Sequence, residues 1–401
     1  MYADKDYIIS LRREIHEYPE IGFELQKTIN VVKRELDRLG IEYTEEYGKS
    51  SVVATINPDK KDFTIGIRAD MDALLIEEKT DLPYKSKIKG HMHACGHDAH
   101  TAMLLGTAKA LKNMEDKISC RIKLLFQPSE EGKQSGAELM VADGVMNDID
   151  VIIGQHIENW LDVGAVGVCK GASMASSRTV KIEFFGKTAH ATLPHSGVDA
   201  LAAAVKTYND IQFMLTREMN PFDRYVCSVG KLSAGTTQNV IADYAEMLIS
   251  VRAYKSEVDE HIAKRIEQIA KNAADELGAK VEIDSNLKCY VVYNNPYISE
   301  LVLSSAAKVV GADNIAEMPV KMSSEDFSQY LMKKPGVFMR LGTRNEKKGC
   351  TTLPHNNDFL IDEDAFVIGS DTCVQFVLDS MNGIDMEKVK MSDERINNTR
   401  V

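Results

Sequence analysis

Residues 91–100 read HMHACGHDAH and run directly into TAMLLGTAKAL at 101–111. Four of the ten histidines in this 401-residue chain, His91, His93, His97 and His100, fall in that stretch with Cys95 and Asp98. Imidazole and thiolate are the donors that first-row transition metals prefer. A packed loop of hydrogen-bonded histidines is the plainer account of such a cluster. Two features argue against it. Gly96 lets the backbone turn sharply between Cys95 and His97, and that thiol–imidazole pair stands just ahead of a helix-like run over 98–111.

On the N-terminal side of this loop, residues 6–18 read as a helix ended by Pro19, because the residue before proline avoids helical backbone. A second helix is expected over 24–39. Its Ile29, Val32, Leu36 and Leu39 share one face, and Gly40 stops it. Strands follow over 52–56 and 64–68, the latter leading into Ala69-Asp70-Met71-Asp72. On the C-terminal side, a strand over 122–126 ends in QPSEEG at 127–132, and a strand over 151–154 ends in Gln155-His156. Helices alternating with short apolar strands predict an α/β fold with a mostly parallel sheet. Ligands of such sheets gather beyond the carboxyl ends of the strands. Three strands expected to end in Asp70/Asp72, Glu130/Glu131 and His156 therefore point to one place.

The pattern changes near residue 178. A strand over 179–185, a helix over 198–216, strands over 225–232 and 245–253, a helix over 258–277 and a strand over 280–284 give the order βαββαβ. That is the split unit of ferredoxin-like folds, at the size of one small inserted domain. After residue 295 the α/β character resumes, with helices over 299–310 and 325–332, a strand over 336–341 and a loop through His355. The expected organisation is a discontinuous metal-binding domain at 1–177 and 291–383, an inserted domain at 178–290, and a charged tail at 384–401. The tail lacks an apolar period and is expected to be loosely ordered.

Composition sets outer bounds. The length is too great for one ordinary core. A formal net charge of −12, with no basic patch of interleaved aromatics, disfavours nucleic acid as a partner. No apolar run reaches the roughly 18 residues that a membrane span needs, and the charged opening MYADKDYIIS does not read as a secretory signal. Seven scattered cysteines without a CxxC suggest thiols in a reducing, cytoplasmic compartment.

Adjacent carboxylates repel in an enclosed site unless a cation neutralises one of them. Glu130 and Glu131 divide naturally into Glu131 on a metal and Glu130 as general base for a metal-activated water. A solvated pair at a turn is the alternative, opposed by the framing Pro128 and Gly132 beyond a buried-type strand. His156 gains weight beside Glu131 and the Cys95/His97 pair. Asp72 or Asp70 could hold the second nitrogen of a ligating histidine. In the inserted domain, Asn239 and Arg252 could clamp a substrate carboxylate, arginine in bidentate fashion; a solvated strand charge is the other account of Arg252.

Taken together, these residues resemble the metal-dependent amidohydrolase/peptidase family of aminoacylases, hippurate hydrolase and auxin-conjugate hydrolases. The matching stretches are RREIHEYPEIGFE (12–24), RADMDA (68–73), HACGHDAHTAMLLG (93–106), LLFQPSEEG (124–132), GQH (154–156), GKTAHATLPHSGVDA (186–200), TTQNVIAD (236–243), SSEDFSQY (323–330) and LPHNNDF (353–359). The resemblance implies two divalent ions per subunit, Zn, Mn, Ni or Co, on Cys95, His97, Glu131, His156 and His355, with Glu130 as base. It also implies that the inserted domain is a lid that mediates a homodimer or a dimer of dimers, and that His190 reaches the reacting carbonyl. The implied reaction is hydrolysis of the amide bond of N-acyl amino acids, small-molecule substrates. Two departures, MDALLIEE where many relatives have MDALP and LPHNND in place of an LHNP-type ending, bear on substrate preference. Three alternatives remain at this stage: a peptidase with the same site, a phosphoesterase, and a non-catalytic binder. A phosphoesterase would be expected to add cationic clamps, and only Arg68 is near in sequence.

Overall fold

The structure, a computed structural model, describes residues 1–393. The chain divides into two compact units, Met1–Gly171 with Tyr293–Pro319 and Asp326–Val401, and Ala172–Val292 with Val320–Glu325. The breaks expected at 177/178 and 290/291 stand beside observed breaks at 171/172 and 292/293. The short segment Val320–Glu325 groups with the second unit. No sequence period marks so brief an excursion.

The first unit is built on an eight-stranded sheet. Its order is Glu42–Thr44, Val52–Ile56, Arg121–Gln127, Thr64–Asp70, Val151–Asp162, Gly336–Arg344, Val166–Val168, Ile315–Glu317. The central strands Arg121–Gln127, Thr64–Asp70, Val151–Asp162 and Gly336–Arg344 run parallel, while antiparallel pairs flank them. Every residue of Thr64–Asp70 is buried, as expected of a parallel strand covered on both faces. Helices His97–Asn113, Pro296–Val310 and Ala365–Ser380 pack on the sheet and on one another. The helix Gln26–Leu39 ends at Gly40, whose φ of 64° is the left-handed cap conformation that glycine adopts without strain.

The second unit is a four-stranded antiparallel sheet in the order Lys280–Cys289, Ser177–Phe185, Tyr244–Ala253, Tyr225–Ala234. Along Tyr244–Ala253 the alternate residues Ala245, Met247, Ile249, Val251 and Ala253 are buried, a period of two with one face covered. Helices Ala200–Arg217 and Ser256–Leu277 pack against that strand. The chain order is the βαββαβ unit, so this fold is α/β with a parallel catalytic-type sheet and a ferredoxin-like second unit.

Three expectations need correction. The strand beginning at Val151 does not end at Gln155-His156 but runs twelve residues to Asp162. Its neighbour Gly336–Arg344 stays paired with it to Arg344, whereas pairing with Thr64–Asp70 stops at Gly154. His156 therefore lies inside a strand, yet beyond the last rung shared with the strand that carries Asp70. The helix expected over 325–332 shrinks to Ser328–Leu331. The tail is not loose over Met386–Ser392: Asp385 caps a short helix there and Val389 is buried. One apolar anchor is too little to register as a period. Residues 394–401 of that tail lie outside the described residues.

Candidate metal centre

Gly96 sets the local geometry. Its φ is 83°, and a Cβ there would come within 2.7 Å of Ile157 Cγ1, so both conformation and space exclude a side chain. The chain turns at Gly96 into the helix His97–Asn113 and leaves Cys95 and His97 on either side of the turn. Opposite, Ser129 holds φ at 53° and its hydroxyl donates to the Gln134 carbonyl at 2.7 Å, fixing the turn that presents Glu130 and Glu131. Asp72 accepts both of their backbone amides, from Glu130 at 3.0 Å and Glu131 at 3.1 Å. His355 is likewise left-handed, with φ of 67°, and its amide donates to the Ala94 carbonyl at 2.8 Å. Left-handed backbone at two residues that are not glycine stores strain of about 1–3 kcal/mol each, and such strain clusters at functional sites.

These turns bring the sequence candidates together. One ligand atom each from Cys95, His97 and His156 lies within 4.8 Å of the others, and the same holds for Cys95, Glu131 and His355, and for His97, Glu130 and Glu131. Cys95 Sγ is 3.4 Å from His156 Nε2, and His355 Nε2 is 2.9 Å from Glu131 Oε1. His156 Nδ1 donates to the Ile157 carbonyl at 2.6 Å, which leaves the Nε2 lone pair facing the thiol. Asp72 Oδ1 is 3.3 Å from His97 Nδ1. Asp72 thus serves twice, steadying the glutamate turn and flanking the histidine.

The electrostatics suit a cation. Both ring nitrogens of His97 are buried without a hydrogen-bond partner, a costly condition that a ligand relieves. Burial opposes charge on His97, but Asp70, Cys95 and Asp72 outweigh it and hold its pKa well above the usual value. The surrounding acids favour positive charge at this spot. Burial lifts the Cys95 thiol well above its ordinary pKa, and Glu131 lifts it further; a bound metal would reverse this by displacing the proton. Burial, with His100 and Arg340, keeps His156 neutral, as a ligand must be. Thiolate, imidazole and carboxylate together form a set that fits divalent transition ions.

Not every histidine of the opening stretch belongs here. His100 Nδ1 donates to Asp70 Oδ1 at 2.6 Å, while its Nε2 accepts the Ile157 amide at 3.0 Å. With both nitrogens engaged, His100 is an internal brace. Burial depresses the pKa of His93 to about 3, and His91 Nδ1 lies 3.3 Å from the Pro19 carbonyl oxygen. Asp98 faces the other way, with Arg12 Nε and His16 Nδ1 each 2.7 Å from its Oδ2. Burial works against its charge, but Arg12 and His16 prevail and its pKa falls well below the ordinary range. Arg68 was legible only as a lone cation. It is buried, with Nε donating to Gln127 Oε1 at 2.7 Å and Nη1 to Asp70 Oδ2 at 2.6 Å. A charge inside the apolar strand TIGIRAD is itself the signal of partners in waiting.

The second unit carries the remaining candidates. His190 is exposed, and its backbone bridges to Val240, the residue after Asn239. The Thr192 amide donates to His190 Nδ1 at 3.2 Å, and the Thr192 hydroxyl lies 2.7 Å from the same nitrogen. Asn239 is exposed, and Arg252 Nη1 donates to Ser324 Oγ at 2.7 Å. Arg252 is thus a bonded strand residue, not a merely solvated one.

Comparison with known proteins identifies the family. Residues 66–379 match the model of peptidase family M20/M25/M40. The chain is 38% identical over 369 residues to thermostable carboxypeptidase 1 of Saccharolobus solfataricus, covering 91% of this chain and 93% of the relative. It is 37% identical over 367 residues to N-acetyl-L-cysteine deacetylase of Bacillus subtilis, covering 90% and 85%. Among solved structures it superposes on the Bacillus subtilis YXEP protein, described as a dinuclear metal binding peptidase from the M20 family, with a TM-score of 0.79 and 31% identity, covering 95% of this chain and 99% of that one. The chain belongs to the M20/M25/M40 peptidase family and is a hydrolase of its amidohydrolase branch.

Proposed function

From membership of this family, we propose that the chain removes the acyl group from N-acyl amino acids by hydrolysing their amide bond. The observation that carries the proposal is the convergence of Cys95, His97, Glu131, His156 and His355 with Glu130 beside them. Those donors would hold two divalent ions. The thiolate leans towards Zn or Ni, with Mn and Co as further candidates. Bound ions would lower the pKa of water towards about 7 and polarise the amide carbonyl.

The protein's own groups do the rest. Glu130 takes the proton from the attacking water and later delivers it to the leaving amine, so the same carboxylate acts as base and then acid. His190 donates through Nε2 to the carbonyl oxygen as negative charge develops there. Asn239 and Arg252 read the free carboxylate of the amino acid. The deacetylase likeness supports this substrate class. The carboxypeptidase likeness sustains a second reading, peptide cleavage at the same centre.

The proposal includes a reducing, cytoplasmic setting, supported by seven cysteines none of which forms a disulfide among the described residues; no helix among the described residues is long and apolar enough to cross a membrane. It also includes a homodimer or dimer of dimers formed through the second unit as a lid. The strand Tyr225–Ala234 lies at a sheet edge, and elsewhere in the second unit Phe213, on the helix Ala200–Arg217, and Phe222 are 65% and 91% exposed. The test is Glu130→Gln with metal content measured beside N-acetyl amino acid, N-benzoyl amino acid and dipeptide assays. Metal should be retained while hydrolysis falls about 10³-fold. A variant that keeps its metal and works at near the parent rate refutes the mechanism, and a parent that cleaves only dipeptides shifts the substrate class.

A further inference from the structure

Asp326 is where the chain re-enters the first unit after the excursion Val320–Glu325. It is fully buried, with 0% exposure. Arg68 Nη2 donates to its Oδ1 at 3.0 Å, Gln127 Nε2 approaches both oxygens at 2.8 and 2.9 Å, Ser135 Oγ donates to Oδ2 at 2.6 Å and the Ala137 amide lies 3.4 Å from Oδ2. A buried carboxylate gains stability only when its donors are this complete.

From Asp326 the bonding runs two ways. Through Arg68 it reaches Asp70, then His100, then the backbone of Ile157, whose carbonyl orients the His156 ring. Through Gln127 and Ser135 it holds both ends of the turn that presents Glu130 and Glu131. One carboxylate is therefore bonded towards donors on two separate segments of the metal centre.

We infer that Asp326, acting through Arg68 and Gln127, is a positioning residue that sets the spacing of His156 and of the turn carrying Glu131, and hence the affinity for divalent ions. It is not one of the five assigned ligands, although one of its oxygens lies within 4.8 Å of a Glu130 oxygen. The inference rests on the two-ion reading above and adds a control point at the chain's return from the second unit. Two residues upstream, Ser324 accepts the hydrogen bond from Arg252, so one short segment links the residue assigned to the substrate carboxylate with the support of the metal donors. Groups that orient metal ligands change affinity by about 10- to 100-fold when removed.

The experiment is calorimetric titration of the metal-stripped parent, Asp326→Asn and Asp379→Asn with Mn²⁺, alongside thermal unfolding. Asp379 receives bonds from Ser305, Lys308 and Gln375, none of which belongs to the centre, so it controls for a plain loss of stability. Asp326→Asn should weaken Mn²⁺ binding about tenfold or more, with Asp379→Asn at the parent value. Equal affinities for all three overturn the inference. A parent that binds no Mn²⁺, Zn²⁺ or Ni²⁺ instead overturns the two-ion reading, which separates the two failures. Should Asp326→Asn not fold, Ser135→Ala removes one bond and should weaken binding about threefold at unchanged stoichiometry; parent affinity in that variant also overturns the inference.

Discussion

The donors at the end of the large sheet and the polar side chains assigned to the second unit sit on very different backbone. Cys95, His97, Glu131 and His156 are fixed by glycine at a position no other residue can occupy, by a strained serine, and by Asp72 on two amides. His190 and Asn239 ride on connections outside the strands and helices, with His190 steadied by Thr192 within its own turn. Binding a cation needs several donors held to a few tenths of an ångström, whereas a hydrogen bond to a developing oxyanion can be completed when substrate arrives. The contrast teaches which half of the chemistry is prebuilt.

Removing a donor from the prebuilt region should do the most damage. His97→Ala should lower the rate by about 10³-fold, several kcal/mol of lost charge stabilisation, and metal analysis should show the bound stoichiometry falling with it. Full metal content in that variant would erase the distinction between the two regions. His190→Ala should lower kcat by about 10²-fold while titrated metal affinity stays at the parent value; a loss of metal would mean that the second unit also builds the ion site. Arg252→Ala should raise KM about tenfold with kcat little changed, the size of one charge-assisted hydrogen bond. Steady-state kinetics on substrates with and without a free carboxylate read that effect, and equal effects on both would remove the assignment.

The smallest effect concerns the supports behind the metal loop. Burial opposes charge on His16, as does Arg12, but Asp98 and Glu78 prevail and raise its pKa. A folded pKa above the unfolded value of about 6.5 gives stability that is complete below that pH and disappears as pH rises through the folded value. The stability gap between parent and His16→Gln should therefore be largest near pH 5.5, on the order of 1 kcal/mol, and shrink towards pH 9 in urea unfolding. A gap that widens with pH would reverse the assigned charge.

Much of this was readable in residues that carry their own explanation. Gly96, the acids after apolar strands and the βαββαβ order all follow from local chemistry. Other features depend on partners distant in sequence. Nothing in HMHACGHDAH distinguishes His97, whose nitrogens make no hydrogen bond and only ion-pair approaches to Asp72 and Asp70, from His100, whose nitrogens are hydrogen-bonded to Asp70 and Ile157. The helix Ala365–Ser380 leaves no mark in the sequence pattern because it is buried nearly all round, so no polar face gives it a period. His156 was placed at a strand end because the paired continuation to Asp162 depends on Gly336–Arg344, far along the chain.

The six-residue excursion Val320–Glu325 has a consequence for modularity. Grafting Ala172–Val292 from one relative into another as a cassette would leave Ser324 behind in the recipient, facing a foreign counterpart of Arg252. Recombinants that exchange both pieces together preserve that bond, and single-crossover hybrids do not. Interchangeable parts in this fold therefore come in two strands of inheritance, and the shorter one is easily overlooked.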